Sequence, residues 1–283
     1  MPELPEVETT RRGIAPWVVS KVLTDFAVHN ASLRWPVQLP SSLKGVRIDT
    51  VRRRGKYLLL ISKLGTIVIH LGMSGSLRWA EPGQPRLTHD HVELHFGDKV
   101  LRLNDPRRFG CVLFHANSEP TDHPLLSHLG VEPLENEFNG FYLFERSRKR
   151  RVSIKNFIMD SKVVVGVGNI YAQEALFAAG VRPTLAAGRV SRVGFDILAD
   201  AIRTVLSEAV VQGGTTLKDF VGSDGKPGYF QQYLYVYGRQ GEPCRVCEAT
   251  LKFVSIAQRS TVYCPQCQSA GKFRSLSQRQ ALD

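Results

Sequence analysis

The sequence predicts an α+β protein of several domains: a β-sandwich with flanking helices, then a helical domain, then a small metal-binding hairpin. Short apolar stretches separated by turn residues run from Val22 to about His115, as in a sandwich or barrel. Helical spacing of apolar residues replaces this pattern after Pro120. Two Cys-x2-Cys pairs follow between Cys244 and Cys267 and indicate a metal site.

Length, charge and composition limit the class of protein. The chain has 283 residues, of which 43% are hydrophobic, which is enough for two domains with their own cores. Its formal net charge of +11 favours a polyanionic partner, with nucleic acid as the leading candidate. No stretch reaches the length of a membrane span, and the N-terminal residues do not resemble a signal peptide. We therefore expect a cytoplasmic protein without a membrane partner.

The first residues place an unusual amine beside carboxyl groups. The initiator methionine is commonly removed before a proline, so the mature chain would begin with the free amine of Pro2. An α-amine of reference pKa roughly 7.8 is about 14% neutral at pH 7. Such an amine attacks electrophilic carbon and forms an iminium. Glu3, Glu6 and Glu8 lie nearby for proton transfer. A plainer interpretation is that Pro5 begins a helix whose first turn is acidic.

Five residues in the predicted β half have either a functional or a purely structural interpretation. Lys56 ends a basic run, which is usually a solvated surface, and His70 ends a strand, where a lone histidine is more often structural. Met73 lies among glycines in LGMSGSLR, where it would serve equally as a turn residue packed into the core. Arg107 and Phe109 alternate in NDPRRFG, so they would share one face of an extended segment.

Domain bounds follow from composition. Three prolines between about Ser118 and Glu137 mark a linker, and the clearest helix begins near Ser191. The predicted domains are a β-sandwich over 1–130, a helical domain over 131–237, a metal finger over 238–267 and a disordered basic tail over 268–283.

The residues alone do not decide the roles of three motifs in the helical half. Asn169 in GVGNIYA suits either phosphate binding at a helix entry or a tight packing turn. The run from Arg146 to Arg151 carries five positive charges in six residues, as a phosphate-binding strip or a solubilising helix surface would. The glycine and proline segment SDGKPGYFQQ, from Ser223 to Gln232, is typical of a lid.

The cysteine spacing is the strongest chemical signal. Cys244 and Cys247 form one pair, and sixteen residues separate it from a second pair, Cys264 and Cys267. Each pair presents two thiolates to a tetrahedral zinc, and four thiolates leave no open position, so one structural zinc is predicted. The residues between the pairs alternate like two strands with a turn near Gln258 and Arg259.

PELPEVET followed by RRG resembles the opening of the formamidopyrimidine-DNA glycosylases, bacterial enzymes that excise oxidised purines. The resemblance extends from Pro2 to Cys267 through motifs in the family's order. It implies a helix-two-turns-helix element at GVGNIYA and a bifunctional glycosylase and abasic-site lyase. The implied substrates are 8-oxoguanine and formamidopyrimidines in double-stranded DNA, bound by a monomer.

The resemblance also implies residue roles. The implied catalytic residues are Pro2, Glu3 and Lys56. Pro2 is the nucleophile at the anomeric carbon, Glu3 donates a proton to the sugar ring, and Lys56 lies near the lesion phosphate and the active site. Met73, Arg107 and Phe109 fill the space that the extruded base leaves, because they replace its stacking and pairing. The implied DNA-binding residues are His70, Met73, Arg107, Phe109, Lys155, Asn169 and Arg259.

The sequence leaves two alternative functions open. The endonuclease VIII branch shares fold and chemistry but prefers oxidised pyrimidines; PELPEVE with the paired Arg107 and Phe109 favours the purine branch. A non-catalytic zinc DNA-binding protein would explain the charge and the cysteines, but it leaves Pro2 and Glu3 without a role.

Overall fold

A computed structural model describes residues 2–215, 230–268 and 273. Most of the predicted lid, 223–229, and the predicted tail from 269 onward, except Phe273, lie outside the described residues. No helix in the described part of the chain is long and apolar enough to cross a membrane.

The chain divides into two compact units. Unit 1 comprises Met1–His128 and Val210–Gln231, and unit 2 comprises Leu129–Ala209 and Gln232–Asp283. This division differs from the predicted linear bounds because a segment after residue 209 belongs with the N-terminal residues. One reason is a hydrogen bond within unit 1, where Thr215 N donates to the Glu6 carboxylate at 2.7 Å.

Unit 1 is a β-sandwich with a helix, α1 (Leu4–Val18), at its start. The strands are β1 (Val22–Leu23), β2 (Asp25–Val28), β3 (Val46–Arg54), β4 (Tyr57–Ser62), β5 (Thr66–His70), β6 (Ser76–Ala80), β7 (Asp90–Phe96), β8 (Lys99–Asn104) and β9 (Cys111–His115). They form a five-stranded sheet in the order β1-β3-β4-β5-β9 and a four-stranded sheet in the order β2-β7-β8-β6. Apolar side chains from both sheets and from α1 share one core, as alternation in and out of a sandwich requires.

The first strand segment of the sandwich is divided between the two sheets. In the stretch 22–28, the first two residues pair with β3 and the last four pair with β7. Thr24 lies at the break, where its N–H donates to His95 O at 2.9 Å. The chain therefore passes from one sheet to the other at this residue.

Unit 2 contains helices followed by the cysteine hairpin. The helices are α2 (Gly140–Ser147), α3 (Ile154–Met159), α4 (Asn169–Ala178) and α5 (Arg192–Val211), of which the last two residues belong to unit 1. Asn139 caps α2 by accepting from Tyr142 N at 2.9 Å, and Ser153 caps α3 by accepting from Asn156 N. The hairpin strands are β10 (Lys252–Ile256) and β11 (Arg259–Tyr263).

The hairpin has two features that the sequence prediction placed differently. Its turn residues are Ala257 and Gln258, both with positive φ, so Arg259 is the first residue of β11. Gln268, predicted to begin the disordered tail, is fully buried. Its amide accepts from Cys264 N at 2.8 Å and donates to Val181 O at 2.9 Å, so this residue belongs to the folded finger.

Candidate functional site

The N-terminal residues of α1 are buried within unit 1. Pro2 is buried, and Glu3, the N-cap of the helix, is only 1% exposed. Glu3 and Glu6 form a capping box, in which Glu3 N donates to Glu6 Oε2 at 2.8 Å. Glu6 Oε1 accepts from Thr215 N, and a side chain at Gly214 would come within 2.8 Å of the same oxygen. This buried carboxylate therefore fixes the backbone that carries Pro2 and Glu3.

Lys56 lies in the two-residue turn between β3 and β4, and it is partly exposed. The basic run before Lys56 consists of Arg52, Arg53 and Arg54, and two of these arginines lie beside carboxylates. Arg52 forms an ion pair with Glu119 at 2.9 Å, and Arg53 lies 3.4 Å from Glu8. Part of the run is thereby neutralised within unit 1, ahead of the lysine at the turn.

His70 is neutral in this structure, and its ring accepts a hydrogen bond from the backbone. It lies opposite Tyr57 in the β4–β5 pairing, with the two ring centroids 4.7 Å apart. Burial, together with the charges of Lys56 and Arg34, lowers the pKa of His70 to about 4, so the ring is uncharged at neutral pH. Its Nδ1 accepts from Gly72 N at 2.9 Å, which leaves the ring proton on Nε2.

Met73, Arg107 and Phe109 lie on two loops that leave the same end of paired strands. His70 at the end of β5 pairs with Cys111 at the start of β9, and the loops adjoin these residues. Met73 is 38% exposed and Phe109 is 41% exposed, although both are apolar. The Arg107 guanidinium lies 4.9 Å from the centroid of the Phe109 ring. The prediction that Arg107 and Phe109 share a face agrees with this contact.

Asp105 joins these two loops. It is fully buried, and its Oδ1 accepts from Ser74 Oγ at 3.0 Å while its Oδ2 accepts from Gly110 N at 2.8 Å. The backbones approach so closely that a side chain at Gly72, where φ is +63°, would lie 2.5 Å from Gly110 N. One carboxylate therefore sets the spacing between the loop of Met73 and the loop of Phe109.

Asn169, in unit 2, is the first residue of α4 and belongs to a polar cluster with the hairpin. Its Oδ1 accepts from Lys155 Nζ at 2.6 Å, and its Nδ2 donates to Ser260 O at 3.2 Å. The same carbonyl accepts from Lys155 Nζ at 3.2 Å and from Gln173 Nε2 at 3.1 Å. Lys155 Nζ also donates to Thr261 Oγ1 at 2.6 Å. The hairpin tip is thus attached to α3 and α4.

The position of Lys155 differs from the prediction that it binds DNA. Its side chain is 0% exposed, because its ammonium is enclosed by the hydrogen bonds to Asn169 and the hairpin, so it does not reach a surface. Arg259, unlike Lys155, reaches the surface. It is exposed at the start of β11, and its guanidinium forms no ion pair or hydrogen bond with the residues that the structure describes.

The sequence analysis missed the roles of several buried polar residues. Gln173 and Glu174 lie inside α4, and Glu174 accepts from the backbone N–H groups of Tyr235, Val236 and Tyr237 at 2.8 to 3.0 Å. Burial raises the pKa of the Glu174 carboxyl, against the opposing effect of these donors. The sequence contained a signal for these two residues, because Gln173 and Glu174 directly precede the apolar stretch ALFAAG of the same helix.

The four cysteines of the finger form a metal site. Their sulfurs lie within 4.8 Å of one another, with separations such as 3.4 Å between Cys247 and Cys264 and 3.9 Å between Cys244 and Cys267. Tetrahedral zinc with Zn–S bonds of about 2.3 Å places its sulfurs about 3.8 Å apart, so the group fits zinc. Four thiolates leave no position for substrate, and the finger therefore binds one structural zinc.

Metal analysis is expected to give one zinc per chain, and Cys264→Ser is expected to lower that content. The finger core is small and includes Leu251 and Val262, and Phe177 of α4 packs against it. Loss of zinc should therefore increase hydrogen exchange in the hairpin and α4, while the sandwich stays protected. Cys111→Ala, which changes a buried cysteine of β9, should keep the metal. Full zinc content in Cys264→Ser would contradict the ligand assignment.

Three family models match the chain. The model of the formamidopyrimidine-DNA glycosylase N-terminal domain matches residues 1–112, and that of the formamidopyrimidine-DNA glycosylase H2TH domain matches residues 129–221. The model of a zinc finger found in FPG and IleRS matches residues 241–270. Together these matches extend over most of the sequence.

Relatives and solved structures agree with these matches. A formamidopyrimidine-DNA glycosylase of Hahella chejuensis is 54% identical over 271 residues, which are 95% of this chain and 100% of the relative. A second, from Cellvibrio japonicus, is 55% identical over 270 residues, with the same shares covered. The crystal structure of the MutM (Fpg) protein from Thermus thermophilus has a TM-score of 0.86 and 37% identity, over 96% of this chain and 100% of that one. The complex of Lactococcus lactis Fpg with DNA containing an abasic site has a TM-score of 0.87 and 32% identity, over 95% and 100%.

Proposed function

The chain belongs to the formamidopyrimidine-DNA glycosylase family, and from this premise we propose how its own residues carry out the reaction. It is a DNA base-excision repair enzyme, a glycosylase for oxidised purines with associated abasic-site lyase activity. Its substrate is double-stranded DNA that contains the damaged base. We assign it to the cytoplasm, where the thiols of a zinc finger remain reduced.

Pro2 and Glu3 carry the chemistry in this proposal. The Pro2 nitrogen, freed of Met1, attacks the anomeric carbon of the damaged nucleoside, a C–N bond forms, and the bond to the base breaks. Glu3 donates a proton to the ring oxygen, which opens the sugar and leaves an iminium on Pro2. The iminium acidifies the C2′–H bond; loss of that proton expels the 3′ phosphate, and a second elimination through the conjugated iminium expels the 5′ phosphate. Water then hydrolyses the iminium and frees Pro2. Lys56 lies near the phosphate of the lesion and holds it electrostatically.

The two loops of unit 1 support extrusion of the base. An extruded base leaves a gap that costs a few kcal/mol in lost stacking. Met73 and Phe109 enter that gap as apolar wedges, and Arg107 faces the orphaned partner base. Their exposure in a protein with a well-packed sandwich supports this role, because apolar side chains gain by leaving water on DNA binding. His70 donates from Nε2 to a backbone phosphate.

The polar cluster of unit 2 holds the backbone of the damaged strand. Arg259 presents an exposed guanidinium, which suits bidentate contact with phosphate. Asn169 and the N-terminus of α4 offer N–H groups to a second phosphate. Lys155 acts through these residues as a positioning group, since it fixes both Asn169 and the hairpin tip next to Arg259.

The observation that carries the proposal is the pair of Pro2 and Glu3, buried together at the start of α1. The direct test is incubation with duplexes that contain 8-oxoguanine or an oxidised pyrimidine, with base release and strand cleavage measured separately. The expected result is faster release of the purine, followed by cleavage. Preference for the pyrimidine would indicate endonuclease VIII-like specificity, and binding without release would indicate a non-catalytic zinc protein.

Asp105→Ala is expected to slow excision of 8-oxoguanine by about 10- to 100-fold, because two buried donors lose their acceptor at about 1–3 kcal/mol each and the loops lose their spacing. Asp105→Asn should restore most of the rate. Its amide oxygen can accept from Gly110 N, and its NH2 can donate to the Ser74 hydroxyl, which rotates to accept.

The measurement for this pair is the single-turnover rate on lesion duplex, with the salt dependence of binding as a control. Asp49→Asn, an exposed position on β3, provides a matched change. Wild-type excision by the Ala variant, or an Asn variant as slow as Ala, would show that Asp105 does not position the loops.

A further inference from the structure

A cluster of exposed cations on unit 2 has no part in the proposed excision. It is formed by Arg146, Lys149, Arg150 and Arg151, at the end of α2 and in the turn after it, and by Arg189; we call it the basic patch. Within the described ranges, none of these five side chains forms an ion pair with a carboxylate.

Some exposed cations elsewhere in the protein are neutralised by a carboxylate. Examples are Arg12 with Glu8, Lys44 with Asp25, Arg52 with Glu119 and Arg192 with Asp196. Five cations left together without such partners repel one another, and this repulsion is relieved when a polyanion binds.

The turn that carries the basic patch is held in one shape. Arg150 N donates to Ser147 O at 2.9 Å, and Lys149 between them has φ +61°. Gly188 N donates to Arg150 O at 3.0 Å, and a side chain at Gly188 would come within 2.9 Å of that oxygen. This bond places Arg189 beside the turn, so residues distant in sequence contribute to one surface.

Arg148 lies within the basic run but serves a different purpose. Its guanidinium lies 3.8 Å from the centroid of the Phe144 ring and donates to Phe144 O at 3.1 Å. It also donates to Val190 O at 3.0 Å, which attaches the turn to the segment before α5. One arginine of the run is therefore used to make the turn rigid, and its neighbours in the basic patch stay exposed.

We propose that the basic patch is a second phosphate-binding surface, which holds duplex DNA that flanks the damaged site. This inference rests on the proposed function, because DNA is the polyanion that the enzyme acts on. Four of the five cations are arginine, whose planar guanidinium matches phosphate oxygens better than the lysine ammonium does. A preformed patch also loses little side-chain and backbone freedom on binding. A surface that served only solubility would gain nothing from a fixed turn.

The test compares Arg150→Glu combined with Arg151→Glu against a control with the same change of net charge. Arg47→Glu with Lys63→Glu provides that control. Both residues are exposed on unit 1, and they lie near the start of β3 and just after β4, at the opposite end of this strand pair from Lys56. Affinity is measured against salt for lesion duplexes of about one and about three helical turns, the shorter closed by a hairpin loop. Single-turnover excision is measured on the shorter duplex.

On the longer duplex, the patch variant is expected to bind more weakly and to have a salt slope shallower by about 2, because two phosphate contacts and their released counterions are lost. Affinity for the shorter duplex and its excision rate should match the wild type, and the control should match it on both. Unchanged binding of the longer duplex would overturn the inference. Equal loss on both lengths would overturn it as well, since the patch would then belong to the lesion site. Absence of base release by the wild type would refute the proposed function and leave the comparison of duplex lengths intact.

Discussion

Borohydride added during turnover on a duplex containing 8-oxoguanine is expected to link the protein covalently to DNA through Pro2. The reason is that the proposed intermediate is an iminium, which borohydride reduces to a stable amine. A terminal α-amine of pKa roughly 7.8 is about 14% neutral at pH 7, whereas a free lysine is about 0.04% neutral, so the terminus is the more available nucleophile. Mass spectrometry of the digested adduct would locate the bond.

The control is a chain in which Met1 is retained. Its Pro2 nitrogen is part of a peptide bond, so base release, strand cleavage and trapping should all be absent while DNA binding persists. Pro2→Gly keeps a terminal amine and tests whether the secondary amine is needed. An adduct on a lysine, with full activity in Pro2→Gly, would contradict the assignment and direct attention to Lys56.

Local patterns were sufficient to predict most elements of the fold. The continuous apolar runs of β4 and β5 and the helical stripe of α5 depend only on neighbouring residues, so the sequence displays them directly. The break at Thr24 depends on hydrogen bonds from other strands, including the one to His95 O, and no local pattern announces it. Gln268 was misassigned for the same reason, because its partners belong to the finger and to Val181.

The site shows the same division between local motifs and distant partners. Pro2, Met73 and Arg259 stand in short motifs that can be identified along the chain. Glu6 and Lys155 were harder to interpret, because a hydrogen bond joins Glu6 to a residue 209 positions away and another joins Lys155 to one 105 positions away. Buried polar groups need partners, and those partners are brought near only by folding. The residues that position a site are therefore less visible in sequence than the residues that act in it.

Glu3→Gln is expected to abolish excision of 8-oxoguanine while keeping DNA binding. Glutamine has nearly the same shape, and its amide oxygen can still accept at the N-terminus of α1, so the capping box with Glu6 is retained in large part. It cannot supply a carboxylic proton to the ring oxygen, and loss of such a proton donor lowers rates by about 10²–10⁴-fold. Single-turnover base release and gel-shift affinity would measure the two effects separately.

A preformed abasic site separates the two halves of the reaction in this variant. There the base is already gone and the sugar opens on its own, so the Pro2 amine can form the iminium without the Glu3 proton, and the Gln variant should still cut the strand. Glu8→Gln provides the matched control, since it makes the same chemical change in α1, where Glu8 contacts Arg11 and Arg12. Normal base release by Glu3→Gln would remove Glu3 from the mechanism. Equal loss of excision and abasic-site cleavage would instead assign Glu3 to the Pro2 attack that both steps share.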